Sequence, residues 1–359
     1  MHIENISLFN FKNYEEFDTS FSPYINCIAG SNGAGKTNLL DAIYYLCLTK
    51  SSLLPSDSML IKHDQLFFMV KGDFVNDKDI FNVQASLKVR QRKVVKCNEL
   101  PYEKISEHIG KFPVVLISPN DTDLIRDGSE VRRKFIDSIL SQFDRAYLSD
   151  MMKYNHLLKQ RNALLKQFYE SHRRDDELLD TFDTQLIALS QSIFTKRKLF
   201  LEDFLVDFEN AFQSISRDSE KVSLTYVSQL LNDDFELRFR NAVSRDIMIQ
   251  RTSFGVHKDD LSFEIEGYPL KKYGSQGQQK SFVIALQLAK FRSIEKHCGF
   301  KPILLLDDIF DKLDDERIYS LIKMLENKHF GQVFITDARV ERTKKFLEKV
   351  HSEIKILEI

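Results

Sequence analysis

Residues 30–37 read GSNGAGKT, which is the spacing GxxxxGKT. The apolar run INCIA stands before them, and TNLLDAIYYL, with apolar residues at helical spacing, follows. Strand, glycine-rich turn and helix in that order form a phosphate cradle. Gly30, Gly33 and Gly35 let the backbone turn tightly and point its N–H groups at phosphate oxygens. Ser31, Asn32 and Ala34 complete the loop, and the helix N-terminus adds a partial positive charge. Lys36 would reach the β- and γ-phosphates, and the Thr37 hydroxyl would ligate Mg²⁺. A second stretch, ILLLDD at 303–308, puts two carboxylates at the end of an apolar strand, where α/β folds place their chemistry. Asp307 would hold Mg²⁺ through water. Asp308 stands where a general base could orient the attacking water. Alone, such a pair reads as a strand end or helix cap; beside GSNGAGKT it reads as a site for nucleoside triphosphate hydrolysis.

A third stretch, KKYGSQGQQKSFVIALQLAK at 271–290, opens a helix with glycines and glutamines. Glycine in a helix costs about 1 kcal/mol relative to alanine, so Gly277 needs a reason. Ser275 is placed to cap the amide of Gln278, which leaves the other first-turn amides exposed as an anion site.

The elements that must position these residues alternate. IENISLFNF, INCIAG, VVLIS, ILLLDD, QVFIT and EIKILEI read as strands. DAIYYLCL, DERIYSLIKMLENK and ERTKKFLEKV read as helices between them. That order predicts a mostly parallel sheet covered on both faces. Phe68–Val70, Ile80–Arg92 and Leu261–Glu266 alternate like antiparallel strands. From Ser129 to Phe254 there is no glycine and no proline, and apolar residues recur at helical spacing (Phe135, Ile136, Ile139, Leu140; later Leu179, Phe182, Leu186, Ile193). This predicts two long helices turning back near ESHRRDDE, 170–177. The fold expected is α/β: an ATPase head with a mixed sheet at 1–122 and 246–359, interrupted by a helical arm at 123–245.

Composition excludes several classes. The chain of 359 residues is 43% apolar and 29% charged, as a water-soluble globular protein is. No apolar run reaches membrane-span length, and MHIENISLFNFKNYEEF lacks a signal-peptide pattern; the expected location is the cytoplasm. Cys27, Cys47, Cys97 and Cys298 are scattered and read as free thiols in a reducing compartment. The histidines form no metal-binding spacing, so no metal held by protein side chains alone is expected. A net charge of −2 leaves nucleic-acid contact to local patches.

GSNGAGKT, SQGQQ and ILLLDD occur in the order of ATP-binding-cassette ATPases, and the chain resembles that superfamily. There a Ser-x-Gly-Gln segment binds the γ-phosphate of ATP held by a second subunit. The resemblance therefore implies a signature acting in trans at Ser275, Gln276, Gly277 and Gln278. A phosphate loop near one end and the acidic strand near the other, split by a helical insert, resembles SMC-like chromosome and repair ATPases more than transporter subunits. Within that group the chain resembles the RecF family over nearly its whole length. NFKNYEEF, GSNGAGKTNLLDAIYYL, ISPNDTDLIRDGSEVRRKFID, RTSFGVHKDDL, GSQGQQKS and LLLDDIFDKLD carry the likeness. Val256 and Lys258 depart from the family's proline and arginine.

The resemblance implies ATP and Mg²⁺ as cofactors and an ATP-dependent homodimer. It also implies binding of single-stranded or gapped DNA, work with RecO- and RecR-like proteins in loading recombinase, and support of the SOS response. It places Lys12, Asn13 and Asn38 near the nucleotide, Pro119–Asn120–Asp121 roughly at the Q-loop, and Asp314 in a D-loop. Thr336–Asp337 stands where transporter cassettes carry a histidine. Asp308 is a methylene shorter than the usual glutamate, which predicts a weak ATPase, a timer more than a motor.

For DNA, Lys88, Arg90 and Arg92 would share one strand face, followed by Lys93 and Lys96, while Arg132, Arg133 and Lys134 open the helical insert. Solvated faces explain either group equally well. Three other readings stand beside this one: an ABC transporter subunit, a small-molecule P-loop kinase, and a clamp that binds ATP without useful hydrolysis. Co-purification with membranes would favour the first. A metabolite that stimulates turnover would favour the second, and indifference of function to Asp308→Asn the third.

Overall fold

The computed structural model describes residues 1–77, 79–216, 220–309, 318, 323–324, 329–338 and 353–359. These fall into two compact units, one of residues 1–121, 211–217 and 280–359, the other of 122–210 and 218–279. The sequence divides the chain at 245/246; the compact units divide it at 279/280, so segment 246–279 gathers with the helices. The helices expected at 315–328 and 341–350, and Asp314, lie outside the described residues, apart from Ile318, Lys323 and Met324.

The first unit holds two sheets. Strands 354–358, 25–29, 333–337, 303–306 and 114–117 lie in that order, and every pairing is parallel. INCIA, ILLL and VFITD are buried at every residue, as strands covered on both faces must be. The antiparallel strands do not join this sheet. They form a second one, beginning 14–20, 2–11, 67–76, 79–88. A bulge between Ile3 and Asn5 explains an odd spacing there. Ile3 and Ile6 are three residues apart, yet both are buried.

Helix Lys36–Leu48 touches strands of both sheets. It is buried almost all round, which is why its sequence is apolar on every side. Its Leu39, Leu40, Ile43, Tyr45 and Leu46 sit in one core with Ile6, Phe68, Phe74 and Phe334. The four cysteines are free thiols. No helix among the described residues is long and apolar enough to cross a membrane.

In the second unit, helix Arg145–Ser171 and helix Asp176–Ile215, the latter as far as Asn210, form the expected hairpin, turning at 172–175. Asp144 caps the first by accepting from the Tyr147 amide. Leu164, Leu165, Phe168 and Leu179 close the tip as a small core. A three-stranded antiparallel sheet (222–227, 260–265, 268–269) belongs to the same unit.

Candidate nucleotide site and its surroundings

The parallel strands deliver four loops to one edge. Strand 25–29 runs into Gly30, strand 303–306 into Asp307, strand 333–337 ends at Asp337, and strand 114–117 leads to Ser118. Gly33 and Gly35 take φ of +87° and +115°, the left-handed side that favours glycine. Gly35 is also enclosed: an added Cβ would lie 2.6 Å from Asn13 Nδ2 and 2.8 Å from the Tyr14 hydroxyl. At Gly30 it would meet the carbonyl oxygen of Ile359.

Side chains from the 2–11/14–20 hairpin hold the loop from outside. Asn13 Nδ2 donates to Ala34 O at 3.2 Å, Tyr14 Oη donates to Gly35 O at 3.1 Å, and Asn38 Nδ2 donates to Asn13 Oδ1 at 2.7 Å. Burial raises the Tyr14 hydroxyl to about 12, so it stays a donor at neutral pH. Lys36 is buried and curls over the loop, donating to Gly30 O and Ser31 O at 3.0 Å each. This is an ammonium stored where phosphate oxygens would replace those carbonyls.

Thr37 Oγ1 donates to Asp307 Oδ1 at 2.9 Å, joining residues far apart in sequence. Sheet register does this: Leu306 pairs with Ile335, and Thr336 pairs with Ile28, so Asp307 comes level with the loop. Asp308 has φ of +44°, uncommon for an L residue and a recurrent feature of functional sites. The oxygens of Thr37 and Asp307 form an all-oxygen donor set that suits a hard divalent cation completed by phosphate and water. Among the described residues no cluster of three or more His, Cys, Asp and Glu gathers to hold a metal alone.

Lys12 is already engaged. Its Nζ lies 2.6 Å from Asp41 Oδ2, with both side chains buried. Lys12, Asn13 and Asn38 line a groove of about 830 Å³ that runs past Met59 and His63 to Lys88 and Arg90. Asp121, at the expected Q-loop position, accepts from the Ser118 amide at 2.9 Å. Burial raises its carboxyl to about 6, against the pull of Ser118 and the Lys290 ammonium.

The chain matches the family model described as RecF/RecN/SMC N terminal domain over residues 2–356. It is 46% identical, over the whole of both chains, to the DNA replication and repair protein RecF of Flavobacterium johnsoniae. It is 47% identical to the protein of that name from Cytophaga hutchinsonii, over 97% of this chain and 92% of that one.

The chain belongs to the RecF family.

RecF proteins are DNA replication and repair proteins, and so is this one. A solved structure of the recombination mediator protein RecF with ATPrS, from the RecFOR pathway, is 30% identical, with a TM-score of 0.88 over all of this chain and 96% of that one. The Smc head domain of Pyrococcus furiosus, at 17% identity and a TM-score of 0.52, shares the fold. An ABC/SMC-like ATPase head is therefore the right class, and the transporter and kinase readings fall away.

Two of the stretches that carry the likeness meet in the second unit, through residues 122–137 of one and 251–261 of the other. Arg132 Nε and Nη2 donate to the two oxygens of Asp260 at 2.6 and 3.0 Å, and Arg133 Nη1 donates to Asp259 O at 2.7 Å. Arg197, 1% exposed, donates to Val256 O, Asp259 and Asp137. Val256 therefore serves this lattice through its carbonyl, which any residue supplies. A Cβ at Gly255 would strike the Tyr154 hydroxyl. Arg132, expected to face DNA, is spent on this lattice.

The other DNA candidates also sit differently from expectation. The strand ends at Lys88, and Arg90, with φ of +64°, lies in the turn that follows. Lys88, Arg90 and Arg92 are exposed but share no strand face. Lys93 is withdrawn, 2.7 Å from Asp57. Lys134 pairs with Glu130 one helical turn away.

Ser275 and Gln278 form a reciprocal capping box: Gln278 N donates to Ser275 Oγ at 3.2 Å, and Ser275 N to Gln278 Oε1 at 2.6 Å. Helix Gln276–Cys298 starts there, with Gly277, half-buried, in its first turn. Sequence reasoning missed Tyr14, Asp41 and the role of Thr336. Tyr14 stands within NFKNYEEF, but nothing in its spacing points at a loop twenty residues away.

Proposed function

We propose that this RecF-family chain binds ATP with Mg²⁺ and uses slow hydrolysis to time a DNA-bound dimer. The observation that carries it is the Thr37–Asp307 contact at 2.9 Å beside the Lys36 loop. In this reading the amides of Gly30–Gly35 and the Lys36 ammonium take the β- and γ-phosphates. The groove past Asn13 and Asn38 takes the base and ribose. Thr37 and Asp307 supply oxygens to the Mg²⁺, which when bound neutralises developing phosphate charge. Asp308 orients the attacking water and holds its proton. Lys12, tied to Asp41, lines the same groove.

Ser275 and Gly277 of the partner subunit would close over the γ-phosphate, with Gln276 and Gln278 of the same helix start. The capping box supports this, because it uses one first-turn amide and leaves its neighbours for an anion. Lys88, Arg90, Arg92 and Arg133 are offered for DNA phosphates. Loading of recombinase at gaps with RecO- and RecR-like proteins, support of SOS induction, and a cytoplasmic location belong to the same proposal, supported by the family. The RecF structures solved with ATP or ATPrS support the nucleotide.

Light scattering with and without Mg·ATP tests it, on wild type, Lys36→Met and Ser275→Arg. A doubled mass for wild type alone is the expected result. A wild type that stays monomeric with ATP bound would reduce SQGQQ to a helix cap and remove the trans signature.

A further inference from the structure

Between the two strand-end aspartates stands a hydroxyl that neither motif contains. Thr336 Oγ1 donates to Asp307 Oδ1 at 2.8 Å and accepts from the Asp308 backbone N–H at 2.9 Å. The residue is fully buried, so its hydroxyl is committed to these two groups and not to bulk water. Its position follows from register, since Ile335 pairs with Leu306 and the next residues of both strands come side by side.

Two consequences follow. Asp307 Oδ1 accepts from both Thr37 and Thr336. Two donors on one carboxylate oxygen fix the rotation of that carboxylate. On the other side, Asp308 has φ of +44°, where L residues are rarely found without support. The bond from its N–H to Thr336 holds that peptide, and so sets the direction in which the Asp308 side chain leaves the backbone.

We propose that Thr336 is a positioning residue for the hydrolytic site. Its hydroxyl orders the Asp307 carboxylate beside Thr37 and pins the Asp308 backbone, so that both carboxylates are set before Mg·ATP arrives. The proposal deepens the ATP-hydrolysis reading and rests on it. Valine has the shape of threonine with neither donor nor acceptor, whereas serine keeps both and loses a methyl.

The test uses the full chain as wild type, Thr336→Val, Thr336→Ser, Thr336→Ala and Lys36→Met. The first readout is the Mg²⁺ concentration for half-maximal retention of a fluorescent ATP analogue. The second is steady-state hydrolysis, split into kcat and KM. Thr336→Val should raise the Mg²⁺ half-point about tenfold and lower kcat about tenfold to a hundredfold, with Mg²⁺-free analogue binding unchanged. Thr336→Ser should stay within about threefold of wild type on both. A Thr336→Val chain with the wild-type Mg²⁺ half-point overturns the proposal. So does a serine variant as impaired as valine. Should circular dichroism show Thr336→Val unfolded, serine against alanine decides, and equal loss in both overturns the proposal. If wild type hydrolyses no faster than Lys36→Met, the hydrolysis reading falls, while the Mg²⁺ half-points still decide Thr336.

Discussion

Gly35→Ala should damage the phosphate loop through its outer supports as well as its backbone. At φ of +115° an alanine costs about 1–2 kcal/mol in conformational strain. Its methyl would lie 2.6 Å from Asn13 Nδ2 and 2.8 Å from the Tyr14 hydroxyl. Asn13 is exposed and can swing out, giving up its bonds to Ala34 O and Asn38. Tyr14 is buried, with its ring 5.0 Å from that of Phe17, so it must be pushed off Gly35 O. Losing these bonds adds about 2 kcal/mol, for a total of about 3–4 kcal/mol. Gly33→Ala is the control: its φ is also positive, but a Cβ there meets nothing within 4 Å. The assay pairs urea unfolding of the nucleotide-free protein with equilibrium binding of an ATP analogue. Gly35→Ala should fall below Gly33→Ala by about 2 kcal/mol in stability and, if the loop carries the whole loss, by about thirtyfold in affinity. In an Asn13→Ala/Tyr14→Phe background most of that excess should vanish. Equal losses for the two glycines, or an excess that persists in that background, would refute the reasoning.

Arg197→Met should cost about 3–5 kcal/mol, since it strands the buried Asp259 and the neighbouring Asp137; adding Asp259→Asn should restore part, and a denaturant midpoint unchanged by Arg197→Met would contradict the lattice. His108 and His257 are both held near pKa 4 by burial, below the free value of 6.5. The unfolded chain then takes up protons first, so stability is full above about pH 6.5 and drains away as pH falls toward 4, by up to roughly 3 kcal/mol per histidine. Urea midpoints at pH 7.5 and 5 check this, and His108→Gln should flatten its share of the slope. Arg90→Glu with Arg92→Glu should weaken binding of gapped DNA and reduce its salt slope by about 2, whereas Arg132→Ala should lower stability first; filter binding across a salt series separates the two.

The phosphate loop was legible because its determinants are contiguous: positive-φ glycines, an apolar strand before them and a helix after. The same holds for the helical hairpin, whose apolar spacing survives a long stretch without glycine or proline, and for the Ser275–Gln278 box, closed within one turn. Family resemblance reached further than spacing did, since it placed Asn13 and Asn38 beside the loop. Charge was read least well. A lysine, two arginines and a turn look alike in sequence whether they face water or an aspartate. Only folding set Lys12 against Asp41, Arg132 against Asp260 and Lys93 against Asp57.

What the amino-acid order determined by itself is therefore local: which backbone can turn at Gly33 and Gly35, which helix can expose its first amides, which strands are apolar enough to be buried. The tertiary structure decided which loops meet. Thr37, Asp307 and Thr336 come within hydrogen-bond reach because a parallel sheet stacks strand 25–29 beside 333–337 beside 303–306. Strand order and register are long-range choices, made by the burial of both sheet faces, and no window of sequence contains them.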